Sequence, residues 1–473
     1  MSNSLSKDEL FRDFSLRANM WRVVFHVCGP LALFDCLNQL FKILDSMMAA
    51  HISAESVSAV VYLGQINMMI SALGGGLAVG SSIKISEAYG AGDYPLVKKR
   101  TNTLFAICGV LGGVVLLGIL PFTGAFLRLA GTPEELIAIG SRYFVIDLFS
   151  IVLGFFLNVY ISVERARGNS KRILWFNLAS VSLKLSLTAL FVYGMDGGVT
   201  SISVASLISQ VAVLVYAVIV LKKSDSAFSL SLKEASFKRE VTAPMLKLSF
   251  PVMVEKAAFS LGKVLVNSMS TDYGTLTVGT LGISNTIGGI TTSPQGGFQS
   301  GAAAIISQNR GAGKPKRSLE AFKCVLIINM VIGAVGCCLT LVFLPQISRF
   351  FAGEDSAFAQ LIASVYRYEA WGGFFLGINA SVVALLYGFG YTKLTLLINF
   401  CRIFLFRVPV LWGLQRFTTL GSESVGVVMM VSNVLTGLLA VVVGTLIVRK
   451  ICIENGVRFF GKEATPKEDT ATV

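Results

Sequence analysis

The chain has 473 residues, of which 54% are hydrophobic and 14% charged, and its net charge is +13. A soluble domain of ordinary composition carries about a quarter charged residues, so this balance excludes one. With only two histidines, His26 and His51, in different places, and no C-x-x-C among eight cysteines, no metal site or catalytic residues are expected, and the cysteines read as packing residues.

In chain order, residues 1–22 are polar, with Arg12, Arg17 and Arg22 on an amphipathic lead-in helix and no cleavable signal peptide. Apolar stretches follow at 23–48, 56–85, 103–124, 141–163, 173–193, 199–221, 248–271, 276–307, 322–345, 364–387, 392–413 and 424–448. Each is long enough for a hydrocarbon core of about 30 Å, and only helices satisfy their backbone there without closing a barrel. The predicted fold is an all-α membrane protein with twelve transmembrane helices in two pseudo-symmetric six-helix lobes, 23–221 and 248–448. A basic linker, 222–247, joins the lobes, and a polar tail, 449–473, closes the chain.

The placement of Lys and Arg sets the orientation. Clusters such as Lys98-Lys99-Arg100, Arg165/Arg167/Lys171/Arg172 and Arg310/Lys314/Lys316/Arg317 share one set of connections with both termini; Arg128, Arg142, Arg349 and Arg416 fall on the other. By the positive-inside rule both termini are cytoplasmic, in a cell membrane. The positive charge is thereby accounted for without nucleic acid; the expected surroundings are a lipid bilayer, with His51 on an outer loop.

A shift of 221 residues aligns 30–92 with 251–313 and yields thirteen identities, among them Pro30/Pro251, Lys42/Lys263, Gly80/Gly301 and the blocks Gly90-Ala91-Gly92 and Gly311-Ala312-Gly313. Gly168 and Lys171 repeat as Gly390 and Lys393, 222 residues on. Six spans per half make this a parallel repeat, whose lobes face each other across a midplane cleft of the kind that binds substrate in secondary transporters.

Gly90, Gly92, Gly311 and Gly313 read as structural loop residues, capping a helix and allowing close approach of the next segment. Arg310-Gly311-Ala312-Gly313-Lys314 lacks the first Gly and the Ser/Thr of a phosphate loop. The stripes Gly74–Gly76/Gly80 and Gly296/Gly297/Gly301 have the spacing of close helix packing. Pro30 and Pro251 lie inside the first helix of each lobe, where a moving kink and a static bend are both open. Charges inside spans mark function: Asp35, Lys42 and Asp45 in the first, Asp147 in the fourth, Lys184 in the fifth, Glu255, Lys256 and Lys263 in the seventh, Glu369 in the tenth, Arg402 and Arg407 in the eleventh. Asp45, Asp35 and Glu255 are the candidate ion-coupling acids. Lys42 shares a helix face with Asp45, so the two form a candidate pair, and Lys184 and Lys263 complete a candidate charge network.

Pro30-Leu31 followed by Asp45, Gly80-x-x-x-x-x-Ser86-x-x-x-Gly90-Ala91-Gly92-Asp93, Arg165-x-x-Gly168 and Gln308-Asn309-x-Gly311-Ala312-Gly313 together resemble the multidrug and toxic compound extrusion (MATE) family. The resemblance implies two six-helix bundles around a central cleft and export of a small organic substrate, often cationic, by antiport with Na⁺ or H⁺. It places Pro30 and Asp45 in an ion-linked site of the first lobe. Counting from Gly168, Lys184 and Thr188 stand where the bacterial branch carries Asn and Asp. An ammonium there repels Na⁺, which favours H⁺ as coupling cation, or a charge network that accepts an anionic or zwitterionic substrate. The expected function is alternating-access efflux by a monomer without cofactor or enzymatic activity; a lipid-linked oligosaccharide flippase and a non-transporting receptor are the alternatives.

Overall fold

The computed structural model describes residues 7–50, 54–129, 132, 134–195, 197–223, 227–353 and 355–459. The side chains of 42–50 and 54–62 are not among those described, so the side chains of Lys42 and Asp45, and His51 entirely, lie outside the described residues. A short helix, α1 (Lys7–Arg17), leads into the first lobe: α2 (Met20–Ala50), α3 (Ala54–Ala91), α4 (Tyr94–Ile119), α5 (Thr123–Leu129), α6 (Glu134–Arg167), α7 (Ser170–Ala189) and α8 (Val199–Lys222). The second lobe holds α9 (Arg239–Ser270), α10 (Thr275–Gly311), α11 (Pro315–Val342), α12 (Leu344–Ala352), α13 (Ser356–Glu369), α14 (Gly372–Phe389), α15 (Thr392–Phe400), α16 (Val408–Phe417) and α17 (Glu423–Asn455).

Among the described residues, ten segments are long and apolar enough to cross a membrane; α9 and α10 are not among them. Their polarity has a structural reason, because both helices border the cleft between the lobes, where α9 carries Glu255 and Lys256 and α10 a run of Ser, Thr and Gly. The tenth span is broken between α13 and α14, and Gln295 Nε2 donates to the Gly373 and Asn329 carbonyls near the break, at 3.0 and 3.2 Å. Irregular backbone at membrane depth survives only where such partners exist. The eleventh span contains a π-helical segment, Cys401–Leu405, between α15 and α16. The short α5 and α12, which run past the ends of the expected spans 103–124 and 322–345, extend α4 and α11 at one end of the bundle.

The lobes meet along α2 against α10 and α3 against α9, and here the glycine stripes pack. A Cβ on Gly76 would lie 2.5 Å from the Met253 backbone, and one on Gly297 would lie 2.3 Å from that of Ala32. Closest of all are the two Gly-Ala-Gly blocks, where Cβ atoms on Gly90 and Gly311 would come within 1.9 Å of the Gln308 carbonyl and 2.0 Å of the Glu87 carbonyl. Ser81 and Ser249 add a hydroxyl–hydroxyl contact of 3.0 Å across the same seam. The seam is therefore closed at backbone level at the end of the bundle that carries α1.

Helix α1 lies across that end and bonds to both lobes. On the first lobe, Arg167 pairs with Asp8 at 2.5 Å, Arg12 Nε donates to the Gly90 carbonyl at 3.0 Å, and Phe11 fills the space over Gly168. Gly168 has φ of +82°, so a side chain there would be strained as well as blocked. On the second lobe, Ser15 donates to Gln308 at 2.7 Å and Arg317 donates to the Ala18 carbonyl just beyond the helix, also at 2.7 Å.

Candidate functional site

Between the lobes, above the closed seam, lies a cavity of about 700 Å³. Its floor is set by Ser86 and Ala304, each one turn from the Gly90–Gln308 contact. The charged side chains that line it are Asp35 from α2, Arg165 from α6, Glu255 and Lys256 from α9, and Arg402 from the π-helical segment. This size suits a drug-sized ligand.

Glu255 is only 7% exposed and is held by the second lobe's own donors. Thr395 Oγ1 donates to it at 2.6 Å, Asn399 Nδ2 at 2.8 Å, and the Tyr387 hydroxyl contacts both carboxylate oxygens at 3.0 and 3.1 Å. Thr395 and Asn399 are four residues apart on α15 and so share a face. That spacing was available in the sequence; the convergence with Tyr387 from α14 was not.

Asp35 borders both the main cavity and a second one of about 430 Å³, where Lys184, Asn38 and Gln39 are found. Asp35 and Lys184, two of the sequence candidates, are thus brought to one cavity wall. Thr188 is buried and absent from both linings, and its hydroxyl has no hydrogen-bond partner among the described residues. Lys263 does not line the main cavity. Its ammonium lies 5.2 Å from the Phe259 ring, on which the Arg402 guanidinium also stacks at 5.4 Å. Pro30 and Pro251 sit inside unbroken helices.

Behind the cavity is a cluster whose charges were visible in the sequence but whose partners were not. Arg402 and Arg407 both donate to Asn433 Oδ1, at 2.8 and 3.3 Å, and Arg407 also reaches Ser432 Oγ at 3.1 Å. Glu369, which accepts from Ser284, lies within electrostatic reach of Arg407, Arg402 and Lys263. In the first lobe Asn67 donates to Asp147. Among the described residues no group of three or more His, Cys, Asp or Glu is arranged to hold a metal ion.

The repeat relates the charged positions in an instructive way. At the 221-residue shift Lys256 occupies the place of Asp35, and at 222 Tyr387 and Asn399 occupy the places of Arg165 and Asn177. Pseudo-equivalent sites therefore carry opposite charges: an acid with an arginine nearby in one lobe, a lysine beside a hydrogen-bonded glutamate in the other.

The MatE family profile matches residues 30–190 and again 251–412, two copies that start 221 residues apart and end 222 apart. The chain is similar to the probable multidrug resistance protein YoeA of Bacillus subtilis (strain 168), with 24% identity covering 88% of this chain and 91% of that one. It is 25% identical to the multidrug export protein MepA of Staphylococcus aureus (strain NCTC 8325 / PS 47), over 71% of this chain and 74% of MepA. The fold matches a solved structure described as the outward-facing conformation of a multidrug resistance MATE family transporter of the MOP superfamily, with TM-score 0.88, 19% identity, and 95% and 99% of the two chains covered. Two family matches that together span most of the chain, set at the spacing of its internal repeat, make this protein a member of the MatE, or multidrug and toxic compound extrusion, family.

Proposed function

We propose that the protein exports a small organic molecule across the cell membrane in exchange for a cation, by exposing its central cleft alternately to the two sides. The observation that carries this reading is the charged cavity of about 700 Å³ between two lobes that are sealed on one side at backbone level. If the basic end bearing α1 is cytoplasmic, as the positive-inside rule requires, the sealed side is the inner one and the arrangement is outward-facing. The relatives named for multidrug resistance and export support efflux as the direction.

Asp35 is the coupling acid best placed to take up a cation, since it borders both cavities. Lys184 on the same wall as Asp35 favours a proton over Na⁺, because an ammonium nearby raises the energy of a second fixed cation. Proteoliposomes loaded with cationic, zwitterionic and anionic dyes test this. An imposed proton gradient is expected to drive dye movement, a Na⁺ gradient is not, and Asp35→Asn is expected to abolish the proton-driven component. Dye movement driven equally well by Na⁺, or unchanged in Asp35→Asn, overturns the coupling assignment.

A further inference from the structure

The cavity walls carry three cationic side chains, Arg165, Lys256 and Arg402, against two acids, and the acids are already engaged. Glu255 is satisfied by Tyr387, Thr395 and Asn399. Asp35 is one carboxylate within electrostatic reach of both Arg165 and Lys256. The basic side is in excess: Arg165 and Lys256, from opposite lobes, lie within electrostatic reach of one another as well as of Asp35. Two cations that face each other across a cleft are costly unless an anion lies between them. Lys256 extends from α9 toward the first lobe, with its Nζ 3.9 Å from the position a Cβ on Gly75 would take.

From this placement we infer that the cleft binds an organic anion, a drug-sized molecule whose carboxylate, sulfonate or phosphate sits between Arg165 of the first lobe and Lys256 of the second. Arginine offers such a group a fork of donors and lysine a compact charge. Asn158, Gln299 and Asn379 on the same walls supply hydrogen bonds to the rest of a polar molecule. An anion held between the lobes also spans the surfaces that must separate in transport. The inference rests on the export reading for the transport step alone; binding is independent of it.

The test uses the full chain in phosphatidylcholine nanodiscs, with fluorescence polarisation of carboxyfluorescein as the anionic probe and ethidium as the cationic one. Carboxyfluorescein is expected to bind more tightly than ethidium. Lys256→Glu and Arg165→Gln are each expected to weaken carboxyfluorescein at least about tenfold, the loss typical of a charged hydrogen bond. Lys256→Arg is expected to stay within about threefold, and Lys256→Met serves if the reversed charge fails to fold. Preference for ethidium in the unaltered protein, or carboxyfluorescein affinity indifferent to Lys256 and Arg165, overturns the anion site. A more than tenfold loss of carboxyfluorescein on replacing the lipid by phosphatidylglycerol, with no such loss in a soluble-anion competition at matched surface charge, assigns the site to a lipid headgroup and overturns it too. In proteoliposomes the two readings part: carboxyfluorescein that binds but is not moved leaves the anion site standing and removes export, whereas ethidium exported without carboxyfluorescein binding does the reverse.

Discussion

Replacing Gly90 and Gly311 together by Ala should push the lobes apart at the end of the bundle that carries α1. The added methyl carbons would stand 1.9 Å from the Gln308 carbonyl oxygen and 2.0 Å from that of Glu87. A carbon and a carbonyl oxygen in ordinary contact need about 3.3 Å, so each site is short by more than about 1 Å and the obstacle is backbone. Forcing extra atoms into a packed seam costs about 1–3 kcal/mol per site. Two sites this close are not strictly additive, and a combined cost of about 2–4 kcal/mol lowers the ratio of closed to open seam roughly 30- to 900-fold. Spin labels at the exposed Lys99 and Lys393, at the starts of α4 and α15, report the separation by double electron–electron resonance once the exposed Cys338 and the half-buried Cys36, Cys401 and Cys452 are replaced. The longer distance should dominate in the double variant, and Gly113→Ala, whose Cβ meets nothing within 4 Å, should leave the distribution unchanged. An unaltered distribution in Gly90→Ala/Gly311→Ala would refute the idea that these glycines set the seam.

Glu255→Leu should destabilise the second lobe, because it removes the acceptor shared by the Asn399 amide and the Thr395 and Tyr387 hydroxyls. An unmet buried polar group costs about 1–3 kcal/mol, which a lowered midpoint of thermal unfolding in detergent would record. Removing residues 1–17 should lengthen the same spin-label distance without unfolding the lobes, since it deletes Asp8 and Ser15, the partners of Arg167 and Gln308. A truncated chain that keeps the closed distance would mean that the seam holds without the helix.

The spans and their duplication were legible because both are local: apolar length marks a membrane helix, and a fixed shift exposes a repeat without knowledge of contacts. Where the chain departs from regular helix, the cause is tertiary. Gly372-Gly373 alone does not announce the break after α13, since the group that tolerates it, Gln295, comes from another helix. For the site the same division holds. Asp35, Glu255, Lys256, Arg402 and Arg407 stand out as charges at membrane depth, but sequence does not say that Arg407 reaches Ser432 and Asn433 while Arg402 faces the cavity. Thr188, brought forward by position in the fifth helix, is buried away from both cavities, because it lies one turn, about 6 Å, further along the helix than Lys184. The Gly-Ala-Gly blocks read as helix ends in the sequence, and they are that; their contact with each other belongs to the assembled pair of lobes.

The strap formed by α1 also has a consequence for how the protein is made. Its partners in the first lobe lie 78 to 159 residues downstream, whereas Ser15 waits for Gln308, 293 residues on, and Arg317 meets Ser15 across 302. At about 5–20 residues per second, a ribosome takes roughly 15–60 s to synthesise that stretch. During this interval Phe11 can dock over Gly168, but the half of α1 that belongs to the second lobe has nothing to bind. Helix α1, made before all of these partners, is therefore among the last to be fully seated, and a nascent chain that has inserted only its first lobe has no closed seam.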